Sequence, residues 1–322
     1  MYRFIKYLLL LAVILGLSWC CLYVWRKMLA PYLVRPSEAV PAEQASASQE
    51  ASEPAVAEPA ASAPLVAAEP AVSGDLQMLL AQAKQELQEE RLLVSRETAY
   101  SGLEKCEAFS PSWLEFAQVI DSVNKIFMNS SAPSPEKKRY VIVAGDRLMK
   151  IAYRLNTTVD ALQKLNSLSR TSSVIYPGNP LVYIEGTWSI KVSKRHFLLC
   201  LCLDDKLYRI YRISTGRHDR TPSGNFIVSQ KQMNPAWTYE GKVIPFGDPQ
   251  NVLGTRWIGL KPVDEVNIAL TGYGIHGTTE PENIGKPASL GCIRMLNEEV
   301  EELYDFIPSS FKEREVKVII SE

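Results

Sequence analysis

Two side chains in this 322-residue chain have the types and setting for acyl chemistry: Cys292 and His276, sixteen residues apart, each in a glycine-bearing turn. A thiol attacks as its thiolate, whose ordinary pKa is about 8.5, so it needs a nearby base, cation or dipole. His276 is a partner of the right kind if the two turns meet. Gly291 lets the backbone approach closely, so the amides of Leu290, Gly291 and Cys292 are the expected donors to a developing oxyanion. Ser289, Gly277 and Tyr273 belong to the same turns and are read with them as lining residues, although Tyr273 equally suits a strand-edge place in the core. Arg294 has two readings, a substrate contact or an ion pair. His218, in the polar Arg217-His218-Asp219-Arg220 loop, is an alternative base, and a solvated surface histidine is its better reading. One Cys and one His at this spacing are by themselves a weak signal, because free cysteine is so often buried and inert.

Such turns must be held by rigid elements. Beyond Trp188, apolar alternation and turn signals predict strands at 189–192, 196–203, 207–213, 225–230, 236–243, 256–260 and 268–270. A helix is expected at 297–306 and a terminal strand at 316–320. Cys200 and Cys202 alternate within an apolar run, so they should share one strand face as small buried hydrophobes and not bond to each other. Cys106 falls on a helical apolar stripe, and Cys20 and Cys21 lie in an apolar N-terminal run.

In order and spacing, Ser214-Thr215-Gly216, Thr221-Pro222-Ser223-Gly224-Asn225-Phe226, Tyr273-Gly274-Ile275-His276-Gly277-Thr278 and Ser289-Leu290-Gly291-Cys292-Ile293-Arg294-Met295 resemble the L,D-transpeptidase (YkuD-like) catalytic domain, over about 187–321. The resemblance implies a mainly-β sandwich with its site in a cleft, Cys292 as nucleophile, His276 as general base and Arg294 framing the substrate. It also implies chemistry without cofactor or metal. Cys292 attacks the carbonyl of the L-centre of a diamino acid in a peptidoglycan tetrapeptide stem, D-Ala leaves, and an amine of a second stem resolves the thioester. Water as acceptor would make the protein an L,D-carboxypeptidase. A non-catalytic wall-attachment protein is the third reading, and intact His276, Cys292 and Arg294 argue against it. Many members carry His before the Gly-Cys pair, where this chain has Leu290.

Residues 140–184 read as strand, helix, helix, strand, with a Gly145-Asp146 turn near the start and Pro177-Gly178 before the last strand. This βααβ segment resembles a LysM domain, with expected bounds 139–185. The resemblance implies a groove for N-acetylglucosamine-containing glycan formed by Gly145, Asp146, Arg147 and Leu148 with Ile175, Tyr176 and Pro177. Leu148 also has core spacing, and Gly145 also suits a turn.

Residues 75–130 show apolar positions at helical spacing and predict three helices, with Asp75 as N-cap of the first and Ser110-Pro111 opening the third. The segment loosely resembles one tetratricopeptide-like hairpin, which needs a neighbour to bury its face. Residues 36–74 contain only Ala, Pro, Glu, Ser, Val, Gln, Leu and Gly, a composition expected to stay a disordered linker. From Tyr7 to Trp25 nineteen residues carry no charge, enough to cross about 30 Å of hydrocarbon as a helix. A cleaved signal peptide is the rival, but Ser18-Trp19-Cys20 supplies no small-x-small site. The expected organisation is therefore a transmembrane anchor (1–35), a linker, a small α-helical segment, the βααβ module and the mainly-β domain. The wall-directed modules place everything beyond the anchor outside the bacterial inner membrane, in the periplasm or cell wall. The balance of 35 basic and 36 acidic residues gives no footprint for nucleic acid, and three histidines without zinc-type CxxC pairs give none for a metal.

Overall fold

The structure is a computed structural model that describes residues 74–309 and 314–322. The apolar run at 7–25 and the linker up to residue 73 lie outside the described residues. Among those described, no helix is long and apolar enough to cross a membrane.

Helices α1 (Gly74–Gln88), α2 (Leu92–Leu103) and α3 (Pro111–Asn129) form the N-terminal segment. Ser110 caps α3 as its spacing predicts, its Oγ accepting from the Trp113 amide at 3.2 Å ahead of Pro111. Asp75 is not the cap of α1, because Gly74 is already helical. The carboxylate instead sits in the first turn, where it complements the helix dipole. The apolar face of the three helices, with Ala83, Ala99, Phe116, Ala117 and Ile120, packs on Cys200, Cys202 and Leu207 of the neighbouring sheet. That sheet is the neighbour a lone helical hairpin lacks.

The βααβ order holds in the next module. Strands β1 (Lys137–Val141) and β2 (Pro180–Ile184) pair antiparallel around α4 (Leu148–Arg154) and α5 (Val159–Leu165). Ile142, Leu148, Ile151, Ala152, Leu162 and Leu181 make its small core. The module does not hang free. Thr158 Oγ1 donates to the Asp305 carbonyl, and Arg170 and Lys164 approach the buried Asp305 carboxylate.

The C-terminal domain is built on one eight-stranded mixed sheet, in the order β13-β11-β10-β7-β14-β3-β4-β5. Its strands are β3 (Trp188–Ser193), β4 (Leu198–Leu203), β5 (Lys206–Arg212), β7 (Gly224–Met233), β10 (Arg256–Pro262), β11 (Gly274–His276), β13 (Ile293–Arg294) and β14 (Lys317–Ser321). A parallel pair, β6 (Thr215–Gly216) with β12 (Pro287–Ser289), lies beside it. Strand β4 is buried on both faces, which explains its unbroken apolar sequence. Leu199, Leu201 and Leu203 enter the main core, while Cys200 and Cys202 face the helices. Helix α6 (Asn297–Phe306) closes the main core with Val300, Leu303 and Phe306. Arg209 of β5 ties the layers together, pairing with Asp121 of α3 at 2.6 Å and with Glu302 of α6.

Two strand expectations fail. The stretch 236–243 is a hairpin, β8 (Trp237–Tyr239) and β9 (Lys242–Ile244), because Glu240 and Gly241 both take positive φ and reverse the chain. Residues 268–270 are not a strand. Pro262 ends the pairing of β10 with β7, Asp264 accepts from the Asn225 amide, and the chain turns through a short 3-10 segment, Glu265–Asn267.

Candidate active site

Strands β11 and β13 run parallel, with His276 opposite Arg294 and Ile275 opposite Ile293. Side chains alternate along a strand, so His276 and Arg294 share a face. Cys292, two residues before Arg294, continues that face at the mouth of β13. The histidine is almost fully buried, and its ring stacks on Trp257 of β10 with centroids 5.8 Å apart. Its Nδ1 lies 2.7 Å from the Gly277 carbonyl oxygen. A carbonyl only accepts, so Nδ1 carries the proton and Nε2 keeps the lone pair a base needs. The Cys292 thiol is partly exposed and donates to the Gly272 carbonyl at 3.6 Å, not to His276, in this resting geometry.

The turn before Cys292 is pinned by two hydroxyls. Ser289 Oγ donates to the Cys292 carbonyl at 2.6 Å and accepts the Gly291 amide at 3.0 Å. Thr221 Oγ1 donates to the Gly291 carbonyl at 2.8 Å and accepts the Gly216 amide at 2.7 Å. Gly291 has φ 145°, and a Cβ there would lie 2.9 Å from the Tyr273 ring and 3.1 Å from the Arg220 carbonyl oxygen, so only glycine fits. Of the three amides expected to face an oxyanion, that of Gly291 is taken up by Ser289 Oγ, which leaves those of Leu290 and Cys292. Leu290 places its side chain in solvent, and Tyr273 packs against Gly291 at the edge of the cleft.

Arg294 forms the ion pair of its two readings, donating to Glu280 at 2.8 Å while almost buried. Asn297, which the sequence reading takes only as the start of a helix, organises the turn after His276. Its Oδ1 accepts the Thr255 and Thr278 amides, and its Nδ2 donates to the Thr278 carbonyl at 2.9 Å. A Cβ on Gly277 would come within 2.1 Å of that Oδ1. His218 lies exposed in its loop and is not assembled with the pair.

Burial first, and the Arg294 charge second, push His276 down to about 4, with the Gly277 and Leu253 carbonyls opposing. Burial pushes the Cys292 thiol up, partly offset by the Gly274 amide and by Arg294. At neutral pH these shifts leave a thiol and a neutral imidazole, and not a preformed thiolate. Cys200 and Cys202 are driven up to about 12 and about 11 by burial, which leaves them inert.

Residues 187–320 match the family model described as the L,D-transpeptidase catalytic domain, and 140–182 match the LysM domain. The protein named "Putative L,D-transpeptidase YqjB" of Bacillus subtilis is 43% identical over 133 residues, 41% of this chain and 68% of that one. "Putative L,D-transpeptidase YkuD" of the same species is 32% identical over 176 residues, covering 53% of this chain and 93% of that one. The chain belongs to the L,D-transpeptidase family. Solved structures align more distantly. The L,D-transpeptidase from Mycobacterium smegmatis shows 17% identity and a TM-score of 0.33 over 45% of this chain and 64% of that one. The catalytic domain of the Enterococcus faecium L,D-transpeptidase gives 20% and 0.32 over 42% of this chain and 98% of that one.

Within this L,D-transpeptidase, the expected glycan residues divide into two groups. Gly145, Arg147, Tyr176 and Pro177 are exposed and Ile175 is half-buried, whereas Leu148 is buried in the module core. The Asp146 carboxylate accepts from the Tyr140 hydroxyl at 2.7 Å and the Val143 amide at 3.0 Å. A cavity of about 600 Å³ opens beside α4 and α5 and borders neither His276 nor Cys292. Thr221, the first residue of the Thr221–Phe226 motif, positions the turn at Gly291. Thr221→Val keeps the shape and strands the Gly291 carbonyl and the Gly216 amide. It is expected to lower D-Ala release about 10- to 100-fold and stability by about 1–3 kcal/mol. Thr221→Ser should stay near wild type in the same release assay and urea titration.

Proposed function

We propose that the protein is a membrane-tethered peptidoglycan L,D-transpeptidase that takes tetrapeptide stems as acyl donors. The observation that carries this reading is His276 at the end of β11 and Cys292 at the entry to its parallel neighbour β13, with the imidazole tautomer set by Gly277. Substrate entering the cleft displaces the weak Cys292 contact to Gly272. His276 Nε2 takes the thiol proton as sulfur bonds to the carbonyl of the L-centre, and the amides of Leu290 and Cys292 receive the oxyanion. Collapse expels D-Ala, whose amine takes the proton back from His276 and leaves a thioester. An amine of a second stem then attacks, and the thiol is regenerated with a new cross-link. The imidazole is neutral at pH 7, so its lone pair is free, and its lowered pKa makes it a weak base that returns the proton readily to the departing amine.

The exposed Arg147 and Tyr176 of the LysM module are read as its glycan contacts, and the apolar run at 7–25 as a single span with its N-terminus in the cytoplasm. That topology leaves the catalytic part in the periplasm or cell wall, where tethering raises its local concentration on the polymer. The test is incubation of the full chain, in detergent, with a disaccharide-tetrapeptide. Mass spectrometry should find D-Ala and cross-linked dimers. Tripeptide monomers alone would favour the carboxypeptidase reading. Because Thr158, Lys164 and Arg170 anchor the LysM module to the catalytic domain, point variants probe it better than deletion. Tyr176→Ala is expected to lower retention on insoluble sacculi several-fold, on the order of one lost aromatic contact, and by more than it lowers turnover of soluble fragments.

A further inference from the structure

We propose that the turn Arg217–Thr221 is a carboxylate-binding wall of the cleft, in which Arg217 and Arg220 take the terminal carboxylate of the donor peptide. The proposal rests on the donor reading above. This turn lies against Gly291, the residue before Cys292. A Cβ added to Gly291 would come within 3.1 Å of the Arg220 carbonyl oxygen, one added to Gly216 would come within 3.0 Å of the Arg220 Cβ, and Thr221 Oγ1 donates to the Gly291 carbonyl. Its backbone is strained, for His218 and Asp219 follow one another at φ 53° and 55°, in the left-handed region that side chains disfavour.

A buried cation holds that shape. The Lys194 side chain is 7% exposed, and its ammonium meets Asp219 Oδ1 at 2.6 Å, Glu322 Oε1 at 2.6 Å and the Thr221 carbonyl at 3.3 Å. The three ammonium donors are thereby used, and the acid inside the turn is consumed. Arg217 and Arg220 remain exposed, and neither guanidinium has a carboxylate or hydrogen-bond partner among the described residues. The other arginine beside the site, Arg294, is already paired with Glu280. A terminal D-Ala places its carboxylate two bonds beyond the scissile nitrogen, so an anion must lie within a few ångströms of the nucleophile whenever the donor is bound. Planar guanidiniums suit carboxylates geometrically, and a wall built beside Gly291 is where such a pair would act.

The experiment compares kcat/KM of the full chain for three tetrapeptide donors: the free acid, its C-terminal amide, and a stem amidated only at the glutamyl carboxyl. Wild type should prefer the free acid over the C-terminal amide about tenfold, the scale of one charge-assisted hydrogen bond. In the double variant Arg217→Gln with Arg220→Gln that ratio should fall to about one, while the Lys double variant should keep part of it. A ratio unchanged in the Gln variant overturns the proposal, and so does a ratio that collapses only for the glutamyl amide. Failure of wild type to release the C-terminal residue from any donor would remove the donor reading itself. Release with an unchanged ratio removes only this assignment.

Discussion

His276→Gln is expected to slow thioester formation on Cys292 at pH 7 by about 10²- to 10⁴-fold, the range of a positioned general base. The glutamine amide can still donate toward the Gly277 carbonyl but has no basic nitrogen to offer the thiol. The same burial that keeps the imidazole neutral gives it an unusual titration. Its folded pKa of about 4 lies below the ordinary value, so acylation should hold through pH 5–6 and fall only near pH 4. A histidine left in water would instead lose activity near 6.5. The stability consequence has a definite sign. Between pH 6.5 and 4 the unfolded chain binds a proton at this position that the folded protein does not, so lowering the pH favours unfolding. From this group alone, about 3 kcal/mol should be lost on going from pH 7 to pH 4. The urea midpoint of wild type should therefore fall more steeply across that range than that of His276→Gln.

The second large effect is at the sulfur. Cys292→Ala should abolish D-Ala release while changing folding stability little, because the thiol makes one long hydrogen bond and is partly exposed. Cys292→Ser should recover little, since a hydroxyl holds its proton far more tightly against a weakly basic imidazole. In the wild-type protein a small alkylating probe should modify Cys292 well before Cys200, Cys202 and Cys106. Of these, Cys200 and Cys202 are walled in between the sheet and the helices. Cys106 donates to the Gly102 carbonyl at 3.2 Å. Peptide mapping of the alkylated protein checks that order.

What could be read from the sequence was local. Helical spacing located α1 to α3 and both helices of the βααβ module, because each buries one face against a neighbour at a period of 3.6. The motifs around His276 and Cys292 were legible because glycines and short polar side chains mark turns. The partners of those motifs were not. Glu280 reaches Arg294 across fourteen residues, Thr221 reaches Gly291 across seventy, and Asn297 fixes the turn at Thr278 from the opening of a helix. No periodicity encodes such pairings, which the fold creates by closing loops onto one another. The commitment of the Gly291 amide to Ser289 was hidden for a different reason. Its donor and acceptor are two residues apart, but the bond depends on the φ of a glycine, which the sequence permits without specifying. The hairpin at 237–244 carried a readable signal in Glu240-Gly241, outweighed by the apolar alternation on either side.

The most direct test is to quench the full chain in acid during turnover of a tetrapeptide donor and map the covalent adduct by mass spectrometry. An acyl group with the mass of the donor less D-Ala should be found on the peptide containing Cys292, and should be strongly depleted in His276→Gln. D-Ala release with the adduct on another residue, or undiminished adduct in that variant, would contradict the assignment of a thiol activated by the buried imidazole.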